Sequence, residues 1–186
     1  EYFFNLIFQT SKFSYYLLFL ISLPILICTP LILEIWLGTV PEYAVEFTRL
    51  MILFFLFDAI SAPLWISVQA TGKIRNYQIL MASIIILNFP LSYWALKYGF
   101  PIYSVFIIRV ILNILTFLAR IIYLRYKIDL SIKDYFQKVV LVVFTVSLLS
   151  IPLPLLANRI LNGWIDLIVS SILSMSIVII LIYILG

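Results

Sequence analysis

Long apolar runs separated by short polar punctuation organise this chain. Six stretches, about residues 14–37, 44–70, 77–98, 101–124, 136–157 and 164–185, are mainly apolar and long enough to cross a bilayer as helices. Lipid offers backbone groups no outside partners, so a spanning segment closes its own hydrogen bonds as a helix, or as a closed barrel. The alternating pattern of a membrane barrel is absent. The expected fold is an all-α integral membrane protein, a six-helix transmembrane bundle with short connections except near residues 125–135. Residues 14–135 read as a core of four spans and 136–186 as two peripheral C-terminal spans. Residues 1–13 read either as an amphipathic segment along the membrane surface or as the clipped end of an upstream span. No strong internal repeat is visible.

Composition agrees. The 186 residues are 65% hydrophobic and 11% charged, against about 25% charged in soluble domains. There is no histidine, which excludes a histidine-ligated metal or a histidine base within the chain. The one cysteine, Cys28, lies in an apolar run, so there is no disulfide framework. The chain opens on EYFFN, without an initiator methionine or signal-peptide pattern, and reads as an internal piece of a longer protein.

The net charge of +4 reads as a topology signal beside apolar spans, not as a nucleic-acid surface. Lys12, Lys73, Arg75, Arg120, Arg125, Lys127, Lys133 and Lys138 all fall at one set of span ends. The other ends carry Lys97 and Arg159, with Glu34, Glu42 and Glu46 clustered around WLGTVPEYAVE. The positive-inside rule makes the basic side cytoplasmic and puts both ends of the chain inside. Trp36, Tyr43, Trp94, Tyr98, Tyr103 and Trp164 near the outer ends, and Tyr15, Tyr77, Tyr123, Tyr126, Tyr135 and Tyr183 near the inner ends, form an expected aromatic belt.

Polar residues inside the spans mark where function can reside, because intramembrane ionisable groups are costly. On span four, Arg109, Asn113, Thr116 and Arg120 are spaced by four, three and four, which makes one helical stripe. Arg109 lies roughly 12 Å below the outer end at 1.5 Å per residue, and Arg120 is close enough to the inner end to snorkel. Arg109 either engages an anionic substrate group in a cavity or packs against a neighbour. On span two, Asp58 shares a face with Ser61, Trp65 and Gln69, and Pro63 kinks the helix. Asp58 is either a coupling or cavity carboxylate or half of a structural ion pair, with Arg109 as a candidate partner. Arg49, on the opposite face, reads as an interface anchor. On span three, Asn88, Pro90 and Ser92 make a kink with a polar lining. Ser170, Ser171 and Ser174 on span six read as a close-packing surface, and spans five and six show no mid-membrane charge.

Several chemistries find no motif. There is no HExxH, no Asp-rich metal pattern and no paired carboxylates at useful spacing. Nor is there a channel filter of the TVGYG kind. The stretch SVQATGKIRNYQ, residues 67–78, is not a nucleotide loop: Ser67 stands where the first glycine belongs, and Ile74 follows Lys73. Gly72 instead ends span two, and Lys73 and Arg75 pin the turn to an anionic inner leaflet. No enzyme activity and no cofactor is expected.

Three landmarks in order resemble a family. LPILICTPLILEIWLGTVPEYA (23–44), VQATGKIRNYQ (68–78) and LNFPLSYWALKYGFPIYSVF (87–106) are similar to the C-terminal part of Wzx-type polysaccharide flippases. These belong to the MOP superfamily, whose other members include MATE exporters and MurJ. The likeness spans about residues 12–135; the last two spans match by hydropathy alone. It implies a two-lobed transporter of which this chain forms most of the second lobe, the first lobe being its missing partner. It implies flipping of undecaprenyl-pyrophosphate-linked oligosaccharide across the bacterial inner membrane by alternating access, for O-antigen, capsule or exopolysaccharide. It leaves proton or sodium coupling open, and adds polysaccharide polymerase machinery to lipid-linked oligosaccharide and membrane lipids as partners. Under it Arg109, Asn113, Asp58 and Asn88 become substrate-path candidates, with Lys73 and Arg75 at the cytoplasmic entrance. The alternatives are a MATE-like cation exporter, richer in cavity carboxylates, a membrane polymerase or glycosyltransferase with a large catalytic loop, and an accessory membrane subunit.

Overall fold

The computed structural model describes residues 2–72, 74–160 and 163–185. Lys73 and the side chains of Arg159 and Trp164 lie outside the described residues. Among the described residues every regular element is helical: α1 (Tyr2–Ile27), α2 (Thr29–Leu37), α3 (Ala44–Ala70), α4 (Arg75–Ile86), α5 (Asn88–Lys97), α6 (Ser104–Ile128), α7 (Ile132–Tyr135), α8 (Leu141–Ser150), α9 (Pro152–Ile160) and α10 (Gly163–Leu185). A π-helical turn, Phe136–Val140, joins α7 to α8. With elements that continue across a kink taken together, six helices are long and apolar enough to span a membrane. The sixfold bundle expected from the apolar runs is present.

Prolines set the kinks, since each lacks the N–H that would bond one turn back. Pro30 frees the Leu26 carbonyl where α1 gives way to α2. Thr29 Oγ1 donates to that carbonyl at 3.1 Å, and the Arg49 Nε on α3 reaches it at 3.3 Å. Arg49 therefore also ties α3 to the kink, beyond the anchoring expected of it. Pro90 interrupts the helix at Leu87 and divides α4 from α5, while Pro152 does so between α8 and α9. Gly72 closes α3 with φ 71, in the left-handed region where glycine carries no Cβ penalty.

Residues 2–13 are the first half of α1, continuous with the first span, and Ile7, Phe8 and Ser11 on it are buried. The partner is Tyr135, fully buried at the end of α7. Its ring meets Phe8 edge-on at 5.7 Å, and its hydroxyl donates to the Ile60 carbonyl at 3.0 Å. The core runs between α1, α3, α6 and the α7–α8 segment, through Tyr16, Leu64, Val68, Ile121, Leu124 and Val139. A second cluster, with Phe19, Leu23, Leu56 and Val178, joins α1 and α3 to α10. The α4–α5 pair packs chiefly on α6 and leaves Ile85, Ile86 and Phe89 exposed, as suits helices whose outer solvent is hydrocarbon.

The aromatic belt is only partly a belt. Trp36, Trp94, Tyr98, Tyr126 and Tyr183 are exposed, but Tyr77 and Tyr135 are core residues. Their positions near span ends allowed either outcome, and the packing of α1 and α6 against them decided it.

A polar cavity between α3, α5 and α6

On α6 the stripe Arg109, Asn113, Thr116 and Arg120 faces α3 and the α4–α5 junction. On α3 Phe54, Asp58 and Ser61 recur at helical spacing of four and three, and so share a face. The two helices start level: the Tyr43 and Tyr103 rings are 5.8 Å apart, and the Phe47 and Phe106 rings 5.0 Å. At 1.5 Å per residue, Asp58 lies roughly 21 Å along α3 and Arg120 roughly 24 Å along α6. Arg109 lies only roughly 8 Å along α6 by the same rise. Depth therefore selects the ion pair.

The contacts follow that ladder. The Asn113 Nδ2 donates to the Phe54 carbonyl at 2.9 Å. The Thr116 hydroxyl turns back to the Asn113 carbonyl at 2.8 Å. The Arg120 Nη1 donates to Ser61 Oγ at 2.6 Å and stands 4.0 Å from Asp58 Oδ1. Two expectations are corrected here. Asp58 pairs with Arg120, not with Arg109, because the registers of α3 and α6 put it level with the former. Arg120 does not snorkel: α6 runs one turn past the expected end of its span, to Ile128, and leaves this arginine too deep to reach its end. Arg109 is correspondingly shallower than expected, because α6 starts at Ser104. Its guanidinium sits 4.6 Å from the Phe54 ring centroid, a cation–π contact. Among the described residues it has no ion-pair partner within 4.0 Å.

These side chains enclose a cavity of about 240 Å³, lined by Asp58, Asn88, Arg109, Asn113, Thr116 and Arg120 with Phe54, Ile85 and Leu112. It has room for a phosphate-sized group and not for an oligosaccharide. The four substrate-path candidates thus come together in one place. Asn88 reaches it because Pro90 breaks the helix just there. The Ser92 hydroxyl donates to Asn88 Oδ1 at 3.3 Å, and Asn88 lines the cavity. Arg75 is exposed at the start of α4 and does not line the cavity; its entrance companion Lys73 lies outside the described residues.

Sequence reasoning passed over two features. Phe54, one turn before Asp58, supplies both a carbonyl and a ring to the site; the four-residue spacing was the signal. The other is a buried cluster far along the chain. Asp166, in the first turn of α10, is 5% exposed and accepts from Asn158 Nδ2 at 2.6 Å and Ser170 Oγ at 2.7 Å. The Cys28 thiol approaches it at 4.0 Å. This cluster fastens α9 and α10 to the kink between α1 and α2. Ser170, expected on a close-packing surface, is fully buried and in addition serves a carboxyl group on its own helix.

In comparisons with known proteins, no family model, no curated protein and no solved structure matches this chain. The fold and the cavity define a class: an all-helical, multi-pass membrane protein whose shape is compatible with transport.

Proposed function

We propose that this chain is part of a flippase for lipid-linked oligosaccharides, with the cavity between α3, α5 and α6 on the path of the pyrophosphate. The observation that carries the reading is Arg109, which borders the cavity with no carboxylate within ion-pair distance among the described residues. A planar guanidinium with five donors suits a pyrophosphate oxygen cluster. Asn113, Thr116 and Asn88 continue the polar lining beside it, while the polyprenyl tail stays in lipid and the glycan follows an aqueous route. In the two-lobed, Wzx-type architecture the remaining wall of that route belongs to the other lobe. Flipping then needs alternating access and no covalent chemistry. The setting is the bacterial cytoplasmic membrane with both ends of this chain inside, and a polysaccharide polymerase takes up the product.

The cation-exporter reading is weaker on a specific ground. It needs a cavity richer in carboxylates than in arginines, and among the described residues the lining has Asp58 against Arg109 and Arg120. The test is export of surface glycan in cells that depend on the protein. Arg109→Ala at normal membrane level abolishes export, and Arg109→Lys keeps part of it as a point charge without the planar fork. Full export by Arg109→Ala overturns the assignment.

A further inference from the structure

The two arginines of the cavity are in different electrostatic states. Among the described residues Arg109 has only the Phe54 ring, whereas Arg120 has a built-in counter-anion in Asp58. We infer that Asp58 is an internal competitor for the anion-binding site at Arg120, occupying it by charge alone until an incoming phosphate group displaces the carboxylate. The inference rests on the anion-path reading above, and it assigns Asp58 a role that reading leaves open.

Four observations carry it. The pair is loose: 4.0 Å separates Arg120 Nη1 from Asp58 Oδ1, beyond hydrogen-bond reach. The two sides are unequally held: the Asp58 side chain is 49% exposed, whereas that of Arg120 is 15% exposed. Arg120 is fixed independently, since its Nη1 donates to Ser61 Oγ at 2.6 Å. An incoming anion therefore finds the guanidinium already oriented, and loses nothing that Asp58 supplies to its geometry. Finally, the Arg120 side chain is not sealed off: it lines the cavity and keeps part of its surface exposed there. A phosphate in the cavity can accept charge-assisted bonds from the donors that remain accessible.

The carboxylate has somewhere to go. Asp58 borders the cavity, and it lies next to Ala59, whose carbonyl lacks its helical bond because Pro63 has no N–H. Arg109 and Arg120 stand roughly 16 Å apart along α6 at 1.5 Å per residue, so they are successive stations and not one clamp. Asp58 makes the second station the weaker one. An anion bound there leaves readily, since the carboxylate returns as it departs.

The test uses the full chain in lipid nanodiscs, with farnesyl pyrophosphate as the probe and farnesol as the uncharged control. Asp58→Asn removes the competitor at nearly constant shape, and raises affinity for the pyrophosphate about tenfold, the scale of one charge-assisted bond. Asp58→Glu keeps the charge on a longer reach, closes the gap to Arg120, and lowers affinity. The opposite signs separate competition from structural damage, which lowers both. Asp58→Asn combined with Arg120→Gln loses the gain. Unchanged or weaker binding by Asp58→Asn, with wild-type binding still dependent on Arg109, overturns the competitor role alone. No binding by any form, or equal binding of farnesol, overturns the anion path and this inference with it.

Discussion

Tyr135 offers a test of how this bundle is held together, because its ring and its hydroxyl make separable contributions. The residue is fully buried, with its ring packed on Phe8 at 5.7 Å and Phe117 at 6.1 Å. The hydroxyl donates to the Ile60 carbonyl at 3.0 Å and lies 3.2 Å from Ser11 Oγ. It thus touches α1 and α3 from the start of the π turn. Tyr135→Phe keeps the ring contacts and removes one hydrogen bond. Ser11 can then turn its hydroxyl back to the carbonyl one turn earlier, and Ile60 retains an in-helix acceptor role. No buried donor is stranded, so the cost is the net worth of one bond, about 1 kcal/mol, and less if the membrane average of about 0.6 applies. Tyr135→Ala empties the space between two phenylalanines and costs about 3–5 kcal/mol. The assay is reversible unfolding in mixed micelles by increasing denaturing detergent, read by helical circular dichroism. If Tyr135→Phe costs as much as Tyr135→Ala, the hydroxyl and not ring packing holds the α1–α3–α7 junction, and the reasoning is wrong.

Two further outcomes concern places where the fold departs from an uninterrupted bundle. Asp166→Ala strands the Asn158 amide, which now bonds the carboxyl at 2.6 Å, and lowers stability by about 2–3 kcal/mol; Asp166→Asn costs less because an amide oxygen still accepts. A melting temperature unchanged by Asp166→Ala would show that the cluster does not fasten α9 and α10. Gly38 holds φ 72 and ψ −59 at the end of α2, with open space where a Cβ would go. Gly38→Ala therefore costs about 1–3 kcal/mol through backbone strain alone, and thermal unfolding that finds it neutral rules that strain out.

Much of the architecture was legible because lipid imposes a one-dimensional rule. A segment about 20 residues long and apolar throughout has to be a helix that crosses, and reading along the chain suffices to find it. The same holds for the break at Pro90, where the missing donor is written in the residue itself; Pro63 lies inside a continuous α3, and the breaks at Pro30 and Pro152 were not read from the sequence. The stripe on α6 was visible as a spacing, and so was the gathering of polar groups on one face of α3.

Pairing between helices was not legible, because it depends on how far one helix slides along another. Asp58 had Arg109 as its candidate partner until the level starts of α3 and α6, seen in Tyr43 on Tyr103 and Phe47 on Phe106, placed it beside Arg120. That change of partner, about three turns along α6, turned Arg120 from a surface-seeking residue into a paired one, and left Arg109 without an ion pair among the described residues. Tyr77 and Tyr135 became core residues by the same kind of decision. The Asp166 cluster shows the limit most clearly, since Cys28 and Asp166 meet across 138 positions of chain. Sequence determined which segments enter the membrane and which faces carry polar groups, because each follows from local composition and helical period. Tertiary structure decided which polar groups meet, because register and depth are properties of two helices at once.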